Sequence, residues 1–247
     1  MELADLFENP DFHRFWGIRL PSNLKNKFLE IQDASEETGY EHGCSLYYDP
    51  TLRSIIARHE YKSESPSAVN LKNKDHSKTK YYCGDFHTHP FKKKVGDGVS
   101  VGPSGTEGDW KEWFCHPPRE KNDQNSNING IHFVASGKLL YLIVIPYTST
   151  QTHEYDDLQC DIPDGWGASL TDDQQMKFAD AEQCIKHKQY DKAIEHSKNG
   201  NLAVAGKDVF LRISKMNARL ADKYGCKYLI GVLQQGIECD LTICWHS

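Results

Sequence analysis

The sequence has no long hydrophobic run. Its longest apolar stretch, over residues 139–147, is about half of the roughly 20 residues that a membrane-spanning helix needs. The first sixteen residues, MELADLFENPDFHRFW, contain neither a basic start nor an apolar segment, so we do not expect a secretory signal peptide. We therefore expect no membrane span and a cytoplasmic location, in the protein's own cell or in a recipient cell if it is delivered there.

An excess of positive charge and paired cysteine motifs are also missing. The 247 residues include 29 Lys and Arg against 35 Asp and Glu, a formal net charge of −6, whereas general nucleic-acid binders carry excess positive charge. None of the eight cysteines forms a CxxC pair. Without a signal peptide, they are better interpreted as reduced, buried thiols than as a disulfide framework. Neither nucleic-acid binding nor a disulfide scaffold is expected.

The first half of the chain predicts a helix followed by strands. Apolar residues at helical spacing indicate a helix that Ser22 caps and that ends near Gly39. Residues 44–61 are typical of a β-hairpin whose turn lies at 49–51, where Pro sets the turn. Three more β-type runs follow, over residues 81–86, 131–135 and 139–145.

A long connection within the first half, and mainly helices in the second half, are also predicted. Residues 62–80 contain almost no apolar side chains and predict a long exposed connection. From about residue 168 the apolar pattern indicates three helices, the last ending near Gly225, and residues 228–233 then predict a strand. We therefore divide the chain into a first domain over residues 1–150 and a mainly helical extension over residues 151–247.

The segment that indicates chemistry lies at the end of the third predicted strand. His87 and His89 are two residues apart, and alternate residues of a strand face the same side, so both imidazoles can reach one metal ion. A glycine-rich loop then leads to Asp109, ahead of the helix-like run WKEWFC. A catalytic zinc ion has three protein ligands and an open position for water. Asp109 is the best candidate for the third ligand.

This pattern resembles the JAMM metalloproteases, also called MPN+ or JAB proteases, in which His-x-His-Pro and then Ser-x-x-Asp supply the zinc ligands. The resemblance covers about residues 20–146 and includes the order of helix, glutamate, hairpin, histidine motif, loop and aspartate-led helix. It implies an α/β fold with an MPN-like mixed β-sheet core and flanking helices, here joined to the helical extension. It also implies a Zn²⁺ cofactor and hydrolysis of amide or isopeptide bonds in a ubiquitin, ubiquitin-like or peptide substrate.

Two features depart from the family's pattern. Thr106 stands three residues before Asp109, where the family has serine; alternatively, Ser104 precedes Glu107, with glutamate in place of aspartate. We prefer Asp109 because an aromatic helical segment follows it. The loop between His89 and Asp109 has 19 intervening residues, longer than the family's usual connection. The hydroxyl of Thr106 or Ser104 would stabilise the oxyanion.

The resemblance also implies an upstream glutamate that exchanges protons with the attacking water. Glu41, in the run EHGCSL at the entrance of a predicted strand, is the candidate, and Glu37, at the end of the preceding helix, is the alternative. Asp85 and Asp97 lie near the histidines, where a carboxylate can orient a ligand histidine, but we interpret both mainly as surface carboxylates. Most other histidines, including His132, have no spacing that indicates a site.

Two other functions fit parts of the pattern. Asp-x-His-x-His over residues 85–89 resembles the first strand of amidohydrolase or PHP metal hydrolases, but only 158 residues follow His89, short for a barrel of about 200 to 250 residues. A non-catalytic MPN-like binding module is the third interpretation. It is disfavoured because both histidines and an aspartate are present.

Overall fold

The computed structural model describes residues 1–7, 15–62, 80–90, 102–103, 109–110, 113, 129–136, 138–146, 217–218, 220–222 and 224–243. A 3-10 helix at Leu3–Phe7 precedes the α-helix α1 at Ser22–Thr38. The strands are β1 (Gly17–Arg19), β2 (His42–Asp49), β3 (Ser54–Lys62), β4 (Tyr81–His89), β5 (Gly130–Ser136), β6 (Leu139–Ile145), β7 (Lys227–Val232) and β8 (Asp240–Ile243). Within these ranges, no helix combines the length and hydrophobicity that crossing a bilayer requires.

The strands form one mixed sheet in the order β1-β8-β7-β6-β5-β4-β2-β3. Neighbouring strands run antiparallel except β4 and β5, which are parallel. All residues of β5, and all of β4 except Tyr81, are buried, as expected where both faces of a sheet are covered. The α/β class expected from the sequence is confirmed at the level of a large mixed sheet with few helices among the described residues.

Helix α1 confirms the predicted N-terminal helix. It ends at Gly39, whose φ of 73° lies in the left-handed region that glycine adopts readily at a helix C-terminus. The predicted capping role of Ser22 is wrong, because Pro21 occupies the N-cap position and makes no side-chain capping bond. The fixed φ of proline suits the start of a helix, so the helix begins without the hydroxyl cap.

The two faces of the sheet are covered by different groups. On one face α1 packs through Phe28, whose ring stacks on that of Phe86 with centroids 3.9 Å apart. The next residue, His87, faces the other side, because side chains alternate along a strand. There the buried rings of Trp110 and Trp113 join a second apolar cluster. The histidine motif therefore lies on the tryptophan-covered face.

The predicted hairpin and the strands after it are confirmed, with shifted bounds. In the turn between β2 and β3, the Asp49 carboxylate accepts hydrogen bonds from the N–H groups of Thr51 and Leu52. Strand β4 continues three residues past its predicted end and includes both histidines. It does so because β2 pairs with it as far as His87, and β5 as far as His89.

Gly84 allows β4 to lie close to β5. Its φ is 148°, and a Cβ atom at this position would lie 1.7 Å from the carbonyl oxygen of Ile131, its partner in the parallel pair. That separation is far inside van der Waals contact. A side chain here would therefore push apart the two strands that form the middle of the sheet.

The end of the chain returns to the same sheet. Strand β7, predicted over residues 228–233, pairs with β6, and β8 pairs with both β7 and β1. The short strands β1 and β8 were not predicted, because three or four residues are too few for an alternating pattern to be recognised. The four described cysteines are free and buried, which confirms the thiol prediction for Cys44, Cys83, Cys226 and Cys239.

Most of the predicted helical extension lies outside the described residues. Within it, residues 217–218 and 220–222 are helical, and Gly225 follows with a φ of 67°, as expected near the end of the third predicted helix. The other two helices fall outside the described ranges, as does nearly all of the predicted connection over residues 62–80. The division of the chain at residue 150 stays a prediction.

Candidate metal centre

The three predicted ligands meet at the end of β4. His87 and His89 are buried, and their Nε2 atoms lie 3.2 Å apart. Asp109, in a helical segment, points at both histidines. Its Oδ1 atom is 3.0 Å from Nε2 of His87, and its Oδ2 atom is 3.6 Å from Nε2 of His89.

These separations fit the donor atoms of a tetrahedral metal site. With metal–ligand bonds of about 2.0–2.2 Å, two donors of a tetrahedron lie roughly 3.3–3.6 Å apart. The observed 3.6 Å lies within that range, and the observed 3.0 and 3.2 Å lie just below it. One ligand atom from each residue lies within 4.8 Å of the others. The buried group of two histidines and an aspartate could therefore bind a metal ion and leave a coordination position open.

The electrostatics of the cluster also favour a cation. Burial lowers the pKa of His87, but the charge and the hydrogen bond of Asp109 raise it by more, and Glu41 and Asp85 add smaller increases. The net effect is a pKa raised to about 9. Buried carboxylates therefore favour positive charge at this position. A divalent metal ion can supply that charge in place of a proton.

Glu41 lies beside the ligands, whereas Glu37 is exposed on α1. The Glu41 side chain is buried, and its Oε1 atom is 4.0 Å from Nε2 of His89. The reason lies in the register, since Gly43 pairs with His87 in the antiparallel β2–β4 ladder. Two residues further along, the same register places Glu41 opposite His89 on the same face of the sheet.

The oxyanion candidates Thr106 and Ser104, together with Glu107 and Asp97, lie outside the described residues. In the same loop, Gly102 and Pro103 are described and buried. Gly102 has a φ of 77°, and a Cβ atom there would lie 3.2 Å from the ring of Tyr141. Gly102 therefore lies close to Tyr141 of β6.

A buried pair beside the ligands was missed at the level of sequence. The interpretation of Asp85 as a surface carboxylate is wrong, because the residue is 3% exposed. Its Oδ2 atom lies 3.1 Å from Nδ1 of His132, and the Tyr82 hydroxyl donates to the same oxygen at 3.4 Å. A carboxylate that shares a strand face with two buried histidines needs a partner, which is the signal that could have revealed the pair.

Trp113 connects this pair with the ligands. Its ring stacks on His132, with centroids 4.8 Å apart and planes at 21°, and lies 6.5 Å from the ring of His87. Trp110, directly after Asp109, is fully buried and donates its indole N–H to Oδ1 of Asn217 at 2.7 Å. The two tryptophans thus anchor the segment that carries Asp109, which explains the aromatic run after this residue.

The fold and these residues define a buried candidate metal centre at the end of a central strand, with a carboxylate beside it. No protein-family model matches the chain, and no curated protein or solved structure is detectably similar to it. The resemblance to the JAMM proteases therefore rests on the sequence motif that contains His87, His89 and Asp109. The geometry of the site supports metal binding independently of that resemblance.

Proposed function

We propose that this protein is a zinc-dependent hydrolase of amide or isopeptide bonds, similar to the JAMM deubiquitinases. The position of Glu41 carries the proposal, since this buried carboxylate lies 4.0 Å from a predicted ligand atom of His89. Structural zinc sites are closed by four protein ligands, whereas catalytic sites have three and an open position. An additional carboxylate beside three ligands is what a hydrolase needs as a general base.

The donor set favours zinc. Two imidazole nitrogens and one carboxylate oxygen suit a tetrahedral zinc ion, whereas Mg²⁺ and Ca²⁺ prefer oxygen ligands alone. Iron(II) oxygenases use the same donor set, but their chemistry gives no role to a general base at the position of Glu41. Metal analysis separates these alternatives directly.

The residues of the site have separate roles in the proposed reaction. His87, His89 and Asp109 would hold the ion, which when bound supplies a Lewis acid that polarises the scissile carbonyl and acidifies water. Glu41 accepts the proton of the attacking water and returns it to the leaving amine. An isopeptide bond is an amide with a long leaving amine, so the same residues serve ubiquitin, ubiquitin-like and peptide substrates.

The first experiment measures metal content and cleavage in the same preparation. Protein purified without chelators is analysed for metals and then incubated with linkage-typed ubiquitin chains and unrelated peptides, with and without a zinc chelator. About one zinc ion per chain and chelator-sensitive cleavage are expected. Two metals per chain would favour an amidohydrolase or PHP enzyme, and a protein that binds no metal would favour the binding module.

A further inference from the structure

Thr88, between the two proposed ligands, faces the opposite side of β4, where it meets the end of α1. Its side chain and that of Ser35 are buried. The Thr88 Oγ1 atom accepts a hydrogen bond from the N–H of His42 at 3.0 Å and lies 2.6 Å from Oγ of Ser35. Oγ of Ser35 lies 2.7 Å from the carbonyl oxygen of Tyr40.

The number of hydroxyl protons sets the direction of these bonds. A carbonyl oxygen can only accept, and each hydroxyl has a single proton to donate. Ser35 therefore donates to Tyr40, and Thr88 donates to Ser35. The carbonyl oxygen of His42 competes for the Thr88 proton only at the longer distance of 3.2 Å. Three hydrogen bonds in series thus run from the N–H of His42 to the carbonyl of Tyr40, and we name them the hydroxyl chain.

The ends of the hydroxyl chain are the two residues that flank Glu41. Glu41 itself lies between the end of α1 at Thr38 and the start of β2 at His42, outside both elements. The hydroxyl chain therefore holds the main chain on both sides of Glu41. It does so from Thr88, whose two neighbours in sequence are the proposed ligands His87 and His89.

We propose that Thr88 and Ser35 are positioning residues, whose hydroxyl groups couple the placement of Glu41 to that of the metal ligands. The inference rests on the proposed function, in which Glu41 acts on the attacking water. A general base must lie within about 2.6–3.2 Å of the group whose proton it takes, and a misplacement of about 1 Å can cost roughly 100-fold in rate. A main-chain segment that is held from both sides keeps the carboxylate within this tolerance.

The test compares Thr88→Val, which removes the hydroxyl at nearly constant volume, with Thr88→Ser, which keeps it. In Thr88→Val we expect kcat to fall about 10- to 100-fold, with KM and zinc content unchanged. Thr88→Ser should stay within about threefold of wild type. Ser35→Ala breaks the hydroxyl chain from the helix side and should reproduce the loss, so it serves as the test if Thr88→Val does not fold.

A second measurement does not depend on activity. Hydrogen exchange of the His42 amide, followed by NMR in the zinc-loaded protein, should be at least about tenfold faster in Thr88→Val, because that amide loses its acceptor. It should be unchanged in Thr88→Ser. The amide of Leu142 in β6 is the internal control and should exchange equally slowly in all variants.

The double variant with Glu41→Gln separates positioning from general damage. Once the general base is absent, Thr88→Val should lower the residual kcat no further. Four outcomes would each overturn the inference. The first two are kcat losses of Thr88→Val and Glu41→Gln that multiply in the double variant, and a loss of kcat in Thr88→Ser equal to that in Thr88→Val. The other two are loss of zinc from Thr88→Val, and unchanged kcat together with unchanged His42 exchange in that variant. If wild-type protein binds zinc but cleaves nothing, the proposed function fails, and the His42 exchange still decides whether the hydroxyl chain holds this segment.

Discussion

The Nε2 atoms of His87 and His89 face each other at 3.2 Å on one side of β4. Each neutral imidazole has a single ring nitrogen with an acceptor lone pair. At this distance either one Nε2 atom carries a proton that it donates to the other, or a metal ion takes the place of that proton, and Asp109 adds negative charge at the same point. The arrangement therefore predicts how metal content responds to single substitutions.

Removal of any ligand should release the metal. We expect His89→Ala and Asp109→Asn to lower the metal content from about one ion per chain to a small fraction after dialysis, because two donors hold zinc far more weakly than three. Metal analysis of the purified variants measures this. His42→Gln is the matched control, because the His42 ring contacts Thr38 Oγ1 at 3.1 Å and is not one of the three proposed metal ligands. Full metal retention in Asp109→Asn would show that Asp109 is not the third ligand, and Glu107 would then be the candidate.

Glu41→Gln should strongly reduce catalysis without removing metal. General acid–base groups typically contribute about 10²- to 10⁴-fold, so kcat should fall within that range while zinc content stays the same. Glu37→Gln is the control, because Glu37 is exposed on α1, and it should retain wild-type rates. Cleavage of a linkage-typed ubiquitin chain or peptide substrate measures both. Full activity in Glu41→Gln would contradict the proposed mechanism.

The pair of Asp85 and His132 should contribute to stability. His132→Phe keeps a ring against Trp113 but removes the histidine nitrogen that lies 3.1 Å from the buried Asp85 carboxylate, which should lower the free energy of unfolding by about 1–3 kcal/mol. Urea denaturation measures the change. In the double variant with Asp85→Asn, the loss should be smaller than the sum of the single losses. Additive losses would show that the two side chains do not interact energetically.

Gly84→Ala should destabilise the sheet severely. The added methyl group would meet the Ile131 carbonyl at 1.7 Å, so we expect a loss of at least about 3 kcal/mol, or failure to fold. Gly225→Ala is the matched control, because its φ is also positive but a Cβ atom there meets nothing within 4 Å. That substitution should cost only about 1–2 kcal/mol. Similar denaturation midpoints for both variants would contradict the close approach of β4 and β5.

Alkaline pH should destabilise the protein through its buried thiols. Burial raises the pKa of Cys239 from 9.0 to about 11, and it raises the pKa of Cys44 further. In the unfolded chain these thiols lose their protons near pH 9, so their contribution to stability is complete below that pH. It is lost as the pH rises through the folded-state pKa, up to about 1.4 kcal/mol per thiol and pH unit.

Urea denaturation between about pH 8 and about pH 11, the window that these pKa values set, measures this effect. Cys239→Ser removes one of the thiols and should show a shallower decline of unfolding free energy than wild type. The comparison cancels contributions of tyrosines and lysines that titrate in the same range. Parallel curves for the two proteins would contradict the role of Cys239.

Local sequence patterns were sufficient for α1, the β2–β3 hairpin and strands β5 to β7. The helix is recognisable because apolar residues recur at helical spacing up to Gly39, and the strands because they are apolar and bounded by turn residues. The same reasoning found two of the metal-ligand candidates, since a period of two places His87 and His89 on one face. Asp109 required more than spacing, because 19 residues separate it from His89.

The sequence by itself determined which residue types are available for a metal site and which strand presents the histidines, because these depend on neighbours a few positions away. Only the tertiary structure decided which distant residues meet. The register of β4 against β5 pairs Asp85 with His132, 47 positions apart, and helix packing joins Ser35 to Thr88, 53 positions apart. The placement of Glu41 opposite His89 likewise follows from the β2–β4 register. Such pairings depend on how whole elements pack, which local periodicity does not encode.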